Sequence, residues 1–399
     1  MLRPTIFLCG IALAATALAQ NAIESAPRPT VIRLPSTPAP TRPAALAPLP
    51  PPVPAPVSAP ADDDTARWLA GLAPQGAALR SFTLATAWKQ HAKEVSMAWS
   101  DSERTRLAKV RAWAPAALGA VHASESPVFY FFSGPDFLYP HALFPHARTY
   151  VLCAREPVGS QPDPTRIPPG ELAGALASFR KSLSSLLDFS FFITKDLRKD
   201  IEQRHIPGIL PMLEFILARE GSLITEVQSV RCGADGEIST EGKAKGGSPG
   251  VRIRFRTGGQ PEQTLYYFYG DVSNGGLKAH GGILRLCEKL GRGRSLLKAA
   301  SFLPHMSEFT RINEWTLANS DAIVQDPSGV PFRNFTRDKW TVRFWGHSAQ
   351  PIEIFAKYAE PDLQAAVNAA PGLRLPFGFG YQHEASKALL ILAERRSGN

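Results

Sequence analysis

The sequence predicts an α/β fold in which a mixed, largely parallel central sheet is covered by helices, with an antiparallel hairpin inserted near residues 222–271. The apolar runs Val128–Phe132 and Thr149–Ala154 are continuous, which is typical of strands that are covered on both faces. Residues 251–256 instead alternate apolar side chains with arginines, which favours a half-buried antiparallel strand. Apolar residues at helical spacing in segments such as 84–99 predict the covering helices.

Two helix starts are predicted from capping residues. Ser100 and Glu103 have capping-box spacing, which predicts that a helix begins there. Ser307 precedes an apolar helical pattern and is the expected N-cap of a helix that runs to Asn319.

The first nineteen residues have the layout of a secretory signal peptide. Arg3 precedes the apolar run Ile6–Leu18, and Ala17-Leu18-Ala19 forms a small-residue cleavage site. The run is shorter than the ~18 apolar residues of a membrane span, so a permanent anchor is the weaker alternative. We therefore expect a periplasmic or secreted protein with no transmembrane span in the mature chain.

A proline- and alanine-rich linker is expected at residues 20–60, followed by one large α/β domain at residues 61–399. The linker composition cannot form a core and predicts an extended spacer. The chain has 44 basic and 35 acidic residues, a net charge of +9. This diffuse excess fits an anionic envelope polymer or glycan as partner and gives no indication of nucleic-acid binding.

Three cysteines remain after removal of the signal peptide. They are Cys153, Cys232 and Cys287, an odd number that leaves at least one thiol unpaired. Cys153 and Cys287 lie in apolar segments, where burial as small apolar residues is the expected state. The sequence leaves open whether two of them pair. It contains no Cys/His cluster, so no zinc site is expected, and the sequence leaves the cofactor unknown.

The segment from the first apolar run to the second invites comparison with nucleotide-binding α/β folds. The first run ends at Ser133-Gly134-Pro135-Asp136, and the second ends just before Glu156. An acidic residue about twenty positions after the first turn belongs to the nucleotide-binding scheme, but G-x-G-x-x-G is absent. The residues therefore favour a sheet of this general kind without its nucleotide.

One motif resembles a catalytic sequence. Gly246-Gly247-Ser248-Pro249-Gly250 matches the nucleophile elbow G-x-S-x-G, which works only on a turn from a strand to a helix. Here the motif leads from a loop into a strand, so we expect no nucleophile at Ser248.

The most basic segment of the chain offers candidate anion-binding residues. They are Lys278, Arg285, Arg292 and Arg294. Two glycines before the helix at Ile283 could supply backbone N–H groups to a phosphate or a glycan carboxylate. The alternative is a solvated basic helix face.

Acidic residues follow several strand-like runs. The candidate catalytic residues are Asp136, Glu156, Asp271, Asp326 and Ser133. If the strands are parallel, their ends gather on one edge of the sheet, where carboxylates could bind Ca²⁺ or act as acid and base. The alternative is that Asp and Ser serve only to form the turns.

Three segments resemble parts of a group of exported bacterial proteins to which no activity is assigned. They read YFFSGPDFLYPHALFPHARTYVLCAREPVG, LLKAASFLPHMSEFTRINEWTLANSDAIVQDPSGVPF and LPFGFGYQHEASKALLILAERR, and they cover about a quarter of the chain. The resemblance implies one integrated domain and no particular activity.

Two functions are consistent with these patterns. The first is an exported, envelope-associated binding protein that uses its basic face. The second is a hydrolase that acts on an envelope or extracellular polymer through the strand-end carboxylates. The sequence does not decide whether the protein is an enzyme, because no complete catalytic set is visible.

Overall fold

The computed structural model describes residues 61–189, 201–240 and 247–396, which lie in one compact unit. The expected signal peptide and linker lie outside these residues. The strands of the described part form one sheet. They are β1 (Val128–Phe131), β2 (Thr149–Ala154), β3 (Ser222–Cys232), β4 (Ile238–Thr240), β5 (Ser248–Thr257), β6 (Gln263–Tyr269), β7 (Gly293–Leu297), β8 (Ser320–Gln325), β9 (Trp340–Gly346) and β10 (Leu389–Arg395).

Helices cover both faces of this sheet. The α-helices of the described part are α1 (Ala61–Leu69), α2 (Ala77–Arg80), α3 (Thr86–Ser102), α4 (Ala108–Leu118), α5 (Ala120–Ala123), α6 (Leu138–Leu143), α7 (Pro169–Phe189), α8 (Leu210–Arg219), α9 (Leu277–His280), α10 (Gly282–Lys289), α11 (Thr310–Asn319) and α12 (Pro361–Ala369). Among the described residues, no helix is both long and apolar enough to cross a membrane.

Five parallel strands form the centre of the sheet, in the order β6-β2-β1-β7-β8. Numbered along the chain, this order is 3-2-1-4-5, the order of the dinucleotide-binding doubly wound folds. The chain first builds outward from β1 through β2 to β6, and then returns to the other side of β1 with β7. The point between β1 and β7 is therefore the topological switch point, next to which such sheets bind ligands.

Antiparallel strands extend the sheet at both edges. β5 pairs with β6, β3 pairs with β5, and β4 pairs with β3, which confirms the antiparallel hairpin predicted near residues 222–271. At the other edge, β10 lies antiparallel between β8 and β9. The predicted α/β class with a mixed, largely parallel sheet is confirmed.

The two core layers explain the continuous apolar run of β1. Tyr130 packs into the large cluster on one face of the sheet, whereas Phe129 and Phe131 pack into the cluster on the other face. Every β1 side chain is buried, so no polar alternation is needed. Cys153 belongs to the second cluster, and all three described cysteines are free and buried.

Both predicted helix starts are displaced. No helix begins at Ser100, because α3 continues through it into a π-helical turn, Glu103–Leu107, that leads directly into α4. The Glu103 carboxylate pairs with Arg111 instead of closing a capping box. Ser307 lies in a short 3₁₀ turn, and the first turn of α11 is capped from another loop, since Arg311 N donates to Asn274 Oδ1 at 3.0 Å.

Candidate functional site

A cavity of about 710 Å³ opens at the carboxyl ends of β1, β2, β6 and β7. Its walls are the residues that directly follow these four strands, together with the turn that precedes α11. The cavity therefore lies at the switch point between β1 and β7, and its volume is typical of a site for a small ligand.

Most of the candidate catalytic residues lie around this one cavity. Ser133, Asp136, Glu156 and Asp271 line it. Asp326 follows β8, and its Oδ2 accepts a hydrogen bond at 3.1 Å from the amide of Ala299, a cavity-lining residue. The strands that precede the four acids are indeed parallel, which is why their ends gather on one edge. The catalytic role of these residues stays a prediction.

A buried ion pair lies at the base of the cavity. Lys298 Nζ is 2.9 Å from Asp136 Oδ2, and both side chains are at most 2% exposed. Tyr130 donates its hydroxyl to the same carboxylate oxygen at 3.1 Å, and the ammonium lies 4.2 Å from the centre of the Tyr139 ring. Burial lowers the pKa of Lys298, although the charge of Asp136 opposes the shift, and burial together with Asp136 raises the pKa of Tyr130.

The loops after β1 and β7 contain strained backbone. Among the described residues, the non-glycine positions with positive φ are Phe132, Ala299, Ser301 and Phe302. The first lies at the end of β1, and the other three lie in the loop after β7. Such conformations cost about 1–3 kcal/mol each and concentrate at functional sites.

Three side chains from later parts of the chain hold the loop after β7. Besides the Ala299–Asp326 bond, Ala300 N donates to Ser328 Oγ at 2.8 Å and Ser301 N donates to the Tyr381 hydroxyl at 3.0 Å. Tyr381 in turn donates to Ala299 O at 3.0 Å. These hydrogen bonds offset the strain and keep the loop in place beside the cavity.

Glu156 and Asp271 occupy equivalent positions just beyond the ends of neighbouring strands. β2 and β6 pair with Ala154 opposite Tyr269, so each acid lies two residues beyond a paired position. Asp271 Oδ1 accepts from Ser273 N at 2.9 Å, and its Oδ2 is 3.8 Å from Arg155 Nη1. Burial raises the pKa of Asp271, but the Ser273 hydrogen bonds and the Arg155 charge outweigh it and lower the pKa overall. Asp271 is therefore a carboxylate at neutral pH.

Apolar side chains also line the cavity. The rings of Phe132 and Phe309 meet edge to face, with centres 5.7 Å apart, and Leu303 is a further lining residue. The cavity thus offers a ligand both carboxylates and aromatic carbon.

The candidate anion-binding residues do not form one site. Arg294 is 2% exposed and donates to Val121 O at 2.8 Å and to Ser126 O. The structure corrects the expectation for this residue, because its guanidinium supports backbone carbonyls and has no access to an external anion. Arg285 donates to Ala234 O at 2.9 Å. Lys278 and Arg292 are exposed on separate elements, in α9 and in the turn before β7.

The G-x-S-x-G sequence is not a nucleophile elbow. Ser248 begins β5, and its Oγ lies 2.8 Å from Nδ1 of His280, whose pKa is lowered by burial. The hydroxyl belongs to a residue that is 1% exposed and does not line the cavity. The hydroxyl therefore cannot reach a substrate in the cavity. This agrees with the expectation that a motif leading from a loop into a strand provides no nucleophile.

The comparisons with known proteins leave the site to be interpreted from its geometry. No protein-family model, curated protein or solved structure matches this chain. Within residues 61–189, 201–240 and 247–396, no group of three or more His, Cys, Asp or Glu side chains is placed to hold a metal ion.

Lys298 was not among the site residues predicted from the sequence. It follows β7 as the acids follow the neighbouring strands, but it stands in a run of basic residues, where a solvated side chain is the ordinary expectation. The available signal was its position directly after the apolar pair Leu296-Leu297, which is the same pattern that identified the acids.

Proposed function

We propose that this protein binds a small ligand with vicinal hydroxyl groups in the cavity at the switch point. The observation that carries the proposal is the equivalent placement of Glu156 and Asp271 two residues beyond the ends of two paired parallel strands, both lining the cavity. Carboxylates from two neighbouring strand ends suit hydrogen bonds from adjacent hydroxyls of a sugar or ribose ring.

The position of Glu156 supports the same ligand chemistry. In nucleotide-binding sheets of this strand order, an acid after the second strand, about twenty positions beyond the first turn, accepts from ribose hydroxyls. Glu156 follows β2 and stands about twenty positions beyond Gly134. Glu156 is 4% exposed. The Tyr267 hydroxyl donates to Glu156 O at 2.8 Å and so holds the main chain there.

The basic surfaces give less support to a large anionic polymer as the ligand. The arginines on β5 are paired: Arg252 and Arg254 lie 3.2 and 3.3 Å from Glu226. The candidate anion-binding residues between positions 278 and 294 do not form one site. We therefore place binding in the cavity, and we retain export to the envelope as part of the proposal on the strength of the N-terminal sequence.

A hydrolase is the second candidate, because the same two acids fit it. Retaining glycosidases use two carboxyl groups about 5–5.5 Å apart, one as nucleophile and one as acid. Glu156 and Asp271 follow neighbouring parallel strands and line the same cavity, and Asp271 is ionised as a nucleophile must be.

Calorimetric titration of the mature protein with glucose, ribose and adenosine tests binding. We expect at least one to bind, with affinity falling at least tenfold in Glu156→Gln and in Asp271→Asn. Asp321→Asn is the matched control, since Asp321 is exposed and does not line the cavity. Unchanged affinity in both cavity variants would refute the proposal, and turnover of chromogenic glycosides that both variants abolish would establish the hydrolase instead.

A further inference from the structure

We infer that the cavity selects a ligand without phosphate, neutral or positively charged: a free sugar, an amino sugar or a nucleoside. The inference rests on the proposed function, because it takes the hydroxyl groups as given. It concerns the charge of the remaining part of the ligand, which would lie against the loops after β1 and β7.

Two of the three amide N–H groups of the first turn, residues 133–136, are already used. In phosphate-binding turns, several backbone N–H groups point at the ligand. Here Ser133 N donates to Cys153 O at 3.4 Å, Asp136 N donates to Ser133 O at 3.3 Å, and Pro135 has no N–H. In the first turn of α6, Tyr139 N donates to Asp136 Oδ1 at 3.4 Å. The Asp136 carboxylate thus accepts from an amide of the first turn of α6 that a phosphate would otherwise need.

The second loop repeats this arrangement. The consecutive amides of Ala299, Ala300 and Ser301 donate to Asp326, Ser328 and Tyr381. A phosphate that entered here would have to displace a buried carboxylate and two hydroxyls. Buried donors that are already paired gain nothing from such an exchange.

The charge of the lining also disfavours phosphate. Its carboxylates are Asp136, Glu156, Asp271 and Glu308, and its cations are Arg155 and Lys298. Each cation lies within 4 Å of a cavity carboxylate: Lys298 is 2.9 Å from Asp136, and Arg155 is 3.8 Å from Asp271. The lining therefore contains four acidic and two basic side chains, an excess of acids that disfavours a phosphate and favours a cationic group.

Two matched series of probes test whether the cavity selects ligands by charge. They also distinguish a sugar from a nucleoside as the ligand that supplies the hydroxyl groups. The sugar series is glucose, glucosamine and glucose 6-phosphate. The nucleoside series is adenosine, S-adenosylmethionine, which carries a cationic sulfonium, and AMP. In whichever series binds, we expect the phosphorylated member to bind at least tenfold more weakly than the neutral member. We expect the cationic member to bind at least as tightly as the neutral one.

The outcomes distinguish this inference from the proposed function. If no member of either series binds, the proposed function fails and the inference fails with it. If the neutral members bind and the phosphorylated member binds equally well or more tightly, the proposed function stands and the inference is overturned.

A charge reversal at the mouth of the cavity gives a second readout. Glu308 lines the cavity and is exposed, so Glu308→Lys should fold. We expect Glu308→Lys to reduce the ratio between the affinities for the neutral and the phosphorylated member of the series by at least threefold. Glu314→Lys makes the same charge change on exposed surface outside the cavity and should leave discrimination unchanged. Equal effects of the two variants, or no effect of Glu308→Lys, would contradict selection by the field of the cavity.

Discussion

The ion pair between Lys298 and Asp136 is the residue-scale feature that joins the two strand ends of the switch point. The lysine follows β7 and the aspartate follows β1, so their contact fixes the two loops relative to each other. Removing two charges from water costs several kcal/mol per ion, which the pair recovers only while both partners are present.

Lys298→Met should destabilise the protein by about 3–5 kcal/mol, because it leaves the Asp136 carboxylate buried without its cation. The double variant Asp136→Asn/Lys298→Met should regain most of that loss, since neither charge then remains. Urea unfolding of the wild type and the variants measures both effects. A loss below ~1 kcal/mol in Lys298→Met would mean that water reaches the carboxylate.

Single residues also show what the sequence could and could not predict of the site. Asp136, Glu156, Asp271 and Asp326 were identified because each follows an apolar run. Their separate structural settings were not predictable: Asp136 pairs with Lys298, Asp326 accepts from a backbone amide, and Glu156 and Asp271 follow paired strands and line the cavity. That distinction depends on which strands pair, and local sequence patterns do not determine strand pairing.

At the scale of elements, the loop after β7 stores strain that other elements balance. Ala299, Ser301 and Phe302 have positive φ, and Tyr381 reaches the loop from a segment about eighty residues later. The helix and strand patterns identified β7 and α11 approximately, but not the strained turn between them, because none of the three residues is one that favours this conformation.

Tyr381→Phe should therefore loosen the loop without unfolding the protein. It removes the acceptor of Ser301 N and the donor to Ala299 O, at a cost of about 1–3 kcal/mol. Faster hydrogen exchange at the Ser301 amide and weaker ligand binding should accompany the loss. Tyr358→Phe is the control, because Tyr358 belongs to the same aromatic cluster and its hydroxyl has no hydrogen-bond partner among the described residues. Equal exchange rates in the two variants would show that the Tyr381 hydroxyl does not hold the loop.

At the scale of the whole molecule, the first helix fastens the antiparallel insertion to the rest of the sheet. Asp63 Oδ1 accepts from Ile224 N at 2.9 Å, and Asp62 Oδ2 accepts from Val227 N at 2.8 Å. These bonds flank the register shift of β3 at Ile224 and Glu226, so side chains of α1 satisfy strand amides there. The sequence predicted the insertion itself from its alternating pattern. It could not predict this contact, whose partners are about 160 residues apart.

The same layer of helices contains a buried carboxyl group that makes global stability depend on pH. Glu214 in α8 is fully buried, its Oε1 accepts from Gln161 at 2.6 Å, and its Oε2 has no hydrogen-bond partner among the described residues. Burial, with a smaller contribution from the charge of Asp62, raises the pKa of Glu214 from 4.5 to about 8. The folded state thus holds a proton that the unfolded state releases above pH 4.5.

Because the folded pKa is the higher one, the contribution of Glu214 to stability is fully present below pH 4.5 and is lost as pH rises toward about 8. The loss amounts to a few kcal/mol, on the order of 1.4 kcal/mol per unit of pKa shift. Glu214→Gln keeps the shape of the side chain and cannot ionise, so its melting temperature should exceed that of the wild type at pH 9 and approach it at pH 5. Glu314→Gln, at an exposed position, should follow the wild type throughout. Parallel melting curves for the wild type and Glu214→Gln from pH 5 to pH 9 would show that Glu214 does not titrate in this range.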